Sequence, residues 1–190
     1  MSDIAERYAR ITGQFTDRVL AVSPGGWNDA SPCTGWTARD VVGHLTDWIP
    51  GFFGPVGVDF PVVPSVQDDP VGAWVTVQET IAGALADPDM AVKQVDTPFG
   101  THSFAETVDM IVIGDVFTHT WDLSRATGQS ETLDPEQLQR MIAGMGAIPE
   151  EMMRADGSSG PGSTLPTTPT IRHGFSRTSA AAHSKSRHCP

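Results

Sequence analysis

Apolar side chains recur at helical spacing from the start of the chain. Ile4, Tyr8, Ile11, Phe15, Val19 and Val22 fall on one stripe, with Glu6, Arg10, Gln14 and Asp17 off it. Ser23-Pro24-Gly25-Gly26 ends that helix. After a loop through Trp27 and Pro32-Cys33-Thr34-Gly35, Thr37 opens a second helix, with Asp40 three residues on in capping-box spacing. Val41, His44, Leu45 and Trp48 follow at i, i+3, i+4 and i+7, which puts His44 on the inward stripe; Pro50 and Gly51 are expected to stop the helix. Residues 50–67, rich in Pro, Gly, Val and Phe, read as a long connection.

Asp69 as N-cap and Pro70 at the first helical position start a third helix. Its expected inward face is Val71, Trp74, Val75, Gln78, Ala82 and Leu85. Residues 92–102, around Pro98-Phe99-Gly100-Thr101, predict a small hairpin or crossover. Ser103 with Glu106 is a capping box for a fourth helix, whose stripe reads Phe104, Val108, Ile111, Asp115, His119 and Asp122 up to a stop at Gly128. A last helix from Asp134-Pro135 is expected to carry Leu138, Met141, Ile142 and Met145 inward.

From about residue 156 the chain turns to Ser, Thr, Pro, Gly, His and Arg, without helical or strand period. Such a segment cannot bury enough apolar surface to offset its ordering entropy, so residues 156–190 are expected to be a disordered tail after one domain at 1–155. Charge changes at the same place. Residues 1–153 hold 7 of the 12 basic and 22 of the 23 acidic side chains, a net of −15, against +4 for residues 154–190. The tail is either a natural disordered segment or the product of a shifted reading frame. An acidic body argues against nucleic-acid binding, which needs a basic face. No apolar stretch is long enough to span a bilayer. The opening MSDIAERYAR has charges and no apolar run, so a secretory signal is not expected and a cytoplasmic location is. Cys33 reads as a partly buried free thiol rather than a nucleophile.

The chemistry concentrates on two stripes. Asp115 and His119 are one helical turn apart and share a face that is otherwise apolar. His44 stands on another apolar stripe. Unpartnered polar groups are costly in a core. Two imidazoles and a carboxylate form an open set that suits zinc, iron or nickel, and helix bundles build metal sites from inward side chains on facing helices. The alternative is a buried Asp115–His119 pair without an ion, with His44 a separate core residue. Asp122 faces nearly the same way and could orient a ligand histidine or serve as a backbone cap. His102, at the end of the hairpin, is a weak candidate for a general base and reads better as an exposed turn histidine.

The segment Ser31-Pro-Cys-Thr-Gly-Trp-Thr-Ala-Arg-Asp-Val-Val-Gly-His-Leu45 resembles the second-helix signature of the DinB/YfiT-like superfamily, in the branch named after mycothiol-dependent maleylpyruvate isomerase. Gly114-Asp-Val-Phe-Thr-His-Thr-Trp-Asp-Leu-Ser-Arg-Ala-Thr-Gly128 is similar to that branch's second signature, and the Thr97-Pro-Phe-Gly100 turn is similar too. The resemblance covers residues 1 to about 155. It implies an all-α, up-down-down-up four-helix bundle with a small hairpin and a three-ligand metal site falling on His44, Asp115 and His119. Where the family carries Glu or His as the middle ligand, this chain carries the shorter Asp115. The implied cofactors are a divalent metal (zinc, or else nickel or iron) and mycothiol. The implied activity is isomerisation or thiol transfer through an activated low-molecular-weight thiol, or hydrolysis through activated water. The competing expectation is a non-catalytic bundle that binds a metal or small molecule. In either case the expected partner is a small molecule, and the chain is a monomer or a homodimer.

Overall fold

The structure, a computed structural model, describes residues 3–147, with side chains described through residue 144. The domain boundary expected near residue 155 and the tail beyond it lie outside the described residues, as does the side chain of Met145.

Four long helices make the body: α1 (Asp3–Leu20), α2 (Ala38–Phe53), α3 (Pro70–Ala86) and α6 (Ile113–Ala126). A short α4 (Pro88–Ala91) precedes the hairpin of β1 (Gln94–Thr97) and β2 (Gly100–Ser103). Helix α5 (Phe104–Thr107) continues through a π-helical segment, Val108–Val112, straight into α6; α7 (Pro135–Ala147) follows. The fold is all-α apart from the hairpin, as the sequence predicts.

Side-chain contacts give the helix directions. Arg7 reaches Asp109 and Arg18 reaches Ser124, so α1 runs parallel to the α5–α6 helix. Tyr8 meets Gln78 while Thr16 meets Trp74, so α3 runs against α1. His44 meets Asp115 while Phe53 packs on Phe104, so α2 runs against α6. The order is therefore up-down-down-up. Helix α1 packs on α3 and α6, and α2 packs on the same two. The core between them holds Ile11, Phe15, Leu45, Ile49, Trp74 and Ile113, all fully buried.

The helix starts follow their caps. Thr37 and Asp40 form a reciprocal capping box at α2, Asp69 caps α3 with Pro70 in the first turn, and Ser103 with Glu106 forms the second box at α5. The hairpin pairs Thr97 with Gly100 across a two-residue loop, and Gly100 takes a φ of +112°, open to glycine.

Four expectations are corrected. Helix α2 does not stop at Pro50 but runs on to Phe53. Pro50 removes one ladder bond near the helix end, but Gly54 N–H donates to the Pro50 carbonyl and Phe53 is fully buried against Phe104, 5.2 Å between rings. The buried face of α3 is Ala73, Trp74, Val77, Ile81 and Leu85, rotated from the expected one. The helix is apolar or small nearly all round, so period alone does not choose its face. The fourth helix is not uniformly α-helical: the π segment adds one residue, moving the buried position from Ile111 to Val112. In α7, Leu138 and Ile142 are exposed while Gln137, and Asp134 just before the helix, are buried. Arg10 ion-pairs with Asp134 and Glu136 at 3.2 Å each, which sets the helix rotation by charge rather than by its apolar stripe.

Candidate metal centre

Helices α2 and α6 face each other with three titratable side chains between them. His44 comes from the middle of α2. Asp115 and His119 stand one turn apart on α6, just after the π segment. Such one-residue insertions recur at functional sites. Here the inserted segment is pinned from α1: the buried Arg7 guanidinium grips Asp109 Oδ1 through Nε at 3.0 Å and Nη2 at 2.7 Å.

Asp115 is the hub. Its Oδ2 lies 3.2 Å from His44 Nε2, and its Oδ1 lies 3.4 Å from His119 Nε2. Trp48, one turn after His44, donates its indole N–H to Asp115 Oδ2 at 2.9 Å. His119 is closed from solvent at 3% side-chain exposure, whereas His44 and Asp115 keep 21% and 29%. The cluster thus opens on the His44–Asp115 side.

The inner side is built by Asp122 and Trp36. Asp122 Oδ2 lies 2.9 Å from His119 Nδ1, which places the Nδ1 proton in that bond and leaves Nε2 facing Asp115. Trp36 is held by a tight turn: its N–H donates to Cys33 O and its carbonyl accepts from Ser31 N–H, with Gly35 at a φ of +79°. Its ring lies 5.2 Å from that of His44 and stacks at 5.9 Å on that of His119.

Electrostatics bind the cluster further. Burial alone lowers the His119 pKa, but its bonds to Asp115 and Asp122 and their charges outweigh burial and raise it to about 9. Burial raises the Asp115 carboxyl, yet hydrogen bonds to His119 and His44 hold it well below the usual carboxylate range. These two shifts describe one coupled pair.

Among the described residues, two groups of side chains could hold a metal ion: His44–Asp115–His119 and Cys33–His119–Asp122, each with its ligand atoms within 4.8 Å of one another. They share His119. Cys33 is buried with Sγ 3.6 Å from Asp122 Oδ2, and it is disulfide-bonded rather than the free thiol the sequence suggests. A bonded sulfur offers no thiolate to a metal. The first group is the better fit. Ligand atoms about 2.1 Å from one zinc-sized ion sit roughly 3–3.5 Å apart; Asp115 Oδ1 lies 3.4 Å from His119 Nε2, and its other oxygen, Oδ2, lies 3.2 Å from His44 Nε2.

The structure thus brings together His44, Asp115 and His119, and gives Asp122 the orienting position. It does not bring in His102, whose Nε2 lies 3.4 Å from the carbonyl of Phe99 within the hairpin. Two contributors went unassigned in the sequence. Trp48 was legible, because it lies four residues after His44 on the same face. Trp36 had no periodic signal, since a turn positions it.

Residues 8–56 match the family described as the mycothiol maleylpyruvate isomerase N-terminal domain. An uncharacterized protein of Mycobacterium tuberculosis (strain CDC 1551 / Oshkosh) is 31% identical over 134 residues, covering 67% of this chain and 69% of the relative. An uncharacterized protein of the H37Rv strain matches with the same identity and coverage. No solved structure matches the chain. No described helix is long and apolar enough to cross a membrane.

Proposed function

Since this chain belongs to the family of the mycothiol maleylpyruvate isomerase N-terminal domain, we propose that it is a metal-dependent enzyme of that kind, holding one divalent cation on His44, Asp115 and His119. The observation that carries this reading is the placement of Asp115 between two imidazole nitrogens, at 3.2 and 3.4 Å, where two helices meet. Two imidazoles and one carboxylate suit zinc, with nickel or iron as alternatives. The acidic body favours a cation as well.

When bound, the cation supplies a positive charge that favours the deprotonated form of a thiol or of water. The chain's own residues do the rest. Asp122 fixes the His119 tautomer so that Nε2 is presented to the site. Trp36 covers the inner face of both imidazoles and keeps water from that side. The partly exposed His44 and Asp115 border the open side, where a low-molecular-weight thiol such as mycothiol, and then a small electrophilic substrate, would approach. The reaction class is isomerisation or thiol transfer, with hydrolysis where water takes the thiol's place. We assign the activity to the cytoplasm and to small molecules, not nucleic acid.

One observation favours a second reading, a bundle that binds metal and ligand without turnover. Asp122 is already engaged by His119, so it is not a spare proton-transfer group. Two measurements test the proposal. Purified protein should carry about one equivalent of metal that chelator removes, and added zinc or nickel should raise the melting temperature of wild type but not of His44→Ala. Equal metal-induced shifts in both proteins would overturn the shared site. Metal binding without mycothiol-dependent turnover would favour the second reading.

A further inference from the structure

We infer that Trp48 is a positioning residue that makes Asp115 a one-oxygen ligand, an inference that rests on the metal-centre reading above. Asp115 has three polar neighbours: His44 Nε2 and Trp48 Nε1 on Oδ2, and His119 Nε2 on Oδ1. These neighbours are not equivalent. An imidazole nitrogen that binds a cation must give up its proton, and with it its bond to the carboxylate. An indole N–H is a donor only. It keeps its bond to Oδ2 whether or not a cation is present.

Cation binding therefore turns His44 and His119 from donors to Asp115 into fellow ligands beside it. Among the described residues, Trp48 alone would still donate to the carboxylate. With Oδ2 engaged by the indole, Oδ1, already on the His119 side, is the oxygen left for the cation. Without the indole bond the carboxylate is free to turn and offer both oxygens, filling a position that an open site must leave for thiol or water. Trp48 is also well placed to be rigid. It is half-buried on α2 one turn from His44, and its ring packs against His44 at 6.3 Å and Phe52 at 6.4 Å. Helix α2 thus supplies one ligand and the donor that orients another ligand on α6.

The test is Trp48→Phe, which keeps an aromatic ring and removes the N–H. Chelator-treated wild type and variant are titrated with cobalt(II), reading both affinity and the visible d–d absorption, whose intensity falls as coordination number rises. The variant is expected to bind cobalt at least about tenfold more weakly, as loss of a bond to a ligand typically does. Its cobalt absorption should weaken, reporting a two-oxygen Asp115; a residue that merely packs would not change the spectrum. Equal affinity and an unchanged spectrum would overturn the inference while leaving the metal centre intact. Absence of cobalt binding by wild type would overturn both. If circular dichroism shows that the variant does not fold, wild type decides alone. The assigned Trp48 indole N–H resonance should stay downfield and slow to exchange when zinc is added, and its loss would overturn the inference.

Discussion

The α1–α3 contact and the α2–α6 contact are built from similar helices, yet they treat polar atoms in opposite ways. Between α1 and α3, Phe15 and Trp74 meet edge to face at 4.6 Å. The Trp74 N–H donates to Thr16 Oγ1 at 2.8 Å and the Tyr8 hydroxyl to the Gln78 carbonyl at 3.1 Å. Every partner there is neutral, and burial pushes the Tyr8 phenol above its ordinary pKa, so it carries no charge. Between α2 and α6, two imidazoles face two carboxylates, and the acidic oxygens are shared among several donors. The first contact is complete by itself. The second leaves its imidazoles and Asp115 converging on one point, an arrangement that a core built for stability alone does not need.

The largest expected effect lies in the complete half. Trp74 is fully buried, and Trp74→Ala should cost about 3–5 kcal/mol of folding stability through transfer and cavity losses. Denaturant melts should show the same loss with chelator and with zinc. A loss that zinc abolishes would break the comparison, because it would couple the α1–α3 packing to the cation.

Next comes the open half. Zinc at a hundredfold excess over its dissociation constant should stabilise wild type by about 2.7 kcal/mol. His119→Ala should remove that gain. The double variant with His44→Ala should lose little more of it, since both act through one ion. Additive losses would mean that the two histidines serve separate sites.

The same pair gives a pH signature. In chelated protein the Asp115 contribution is present above its unfolded value of 3.8 and fades as pH falls below it. The His119 contribution is full below 6.5 and is lost as pH rises through about 9. Melting temperature without metal should therefore decline between pH 6.5 and 9 from this source, and His119→Ala should flatten that decline. With zinc the sign reverses. The cation must displace the His119 proton, so the zinc-induced gain should grow across the same interval. A zinc gain independent of pH would remove His119 from the ligand set.

The two halves also differed in how far the sequence revealed them. Capping boxes are local, so Thr37 with Asp40 and Ser103 with Glu106 were readable, as was the hairpin turn before Ser103. His44, Asp115 and His119 stood out because ionisable groups on apolar stripes break a pattern. The face of α3 did not stand out, because nearly all its positions are apolar or small. The π segment was invisible, since one inserted residue shifts the period by less than a short stripe can register, and its anchor, Arg7 on Asp109, spans 102 residues. The rotation of α7 failed for a like reason: it is decided by Arg10 on α1, not by the helix's own apolar residues.

The smallest expected effect separates a helix end from the site it carries. Thr37 accepts the Asp40 N–H and is the N-cap of α2. Thr37→Ala should cost about 1 kcal/mol, the usual value of a lost cap. His44 lies nearly two turns inside the helix, where the backbone is already held by Val41, Val42 and Leu45 in the core. End fraying is confined to the first turn. Zinc affinity of Thr37→Ala should thus match wild type within about twofold even though the protein melts a few degrees lower. The Trp36 turn adds a finer point. It closes on α2 just before the cap, stacks on the His119 imidazole and packs tilted against that of His44, so a fraying that reached it would weaken the site from its covered side. A tenfold drop in zinc affinity for Thr37→Ala would show that the α2–α6 contact depends on the loop before it, and that the two halves differ less in self-sufficiency than their packing indicates.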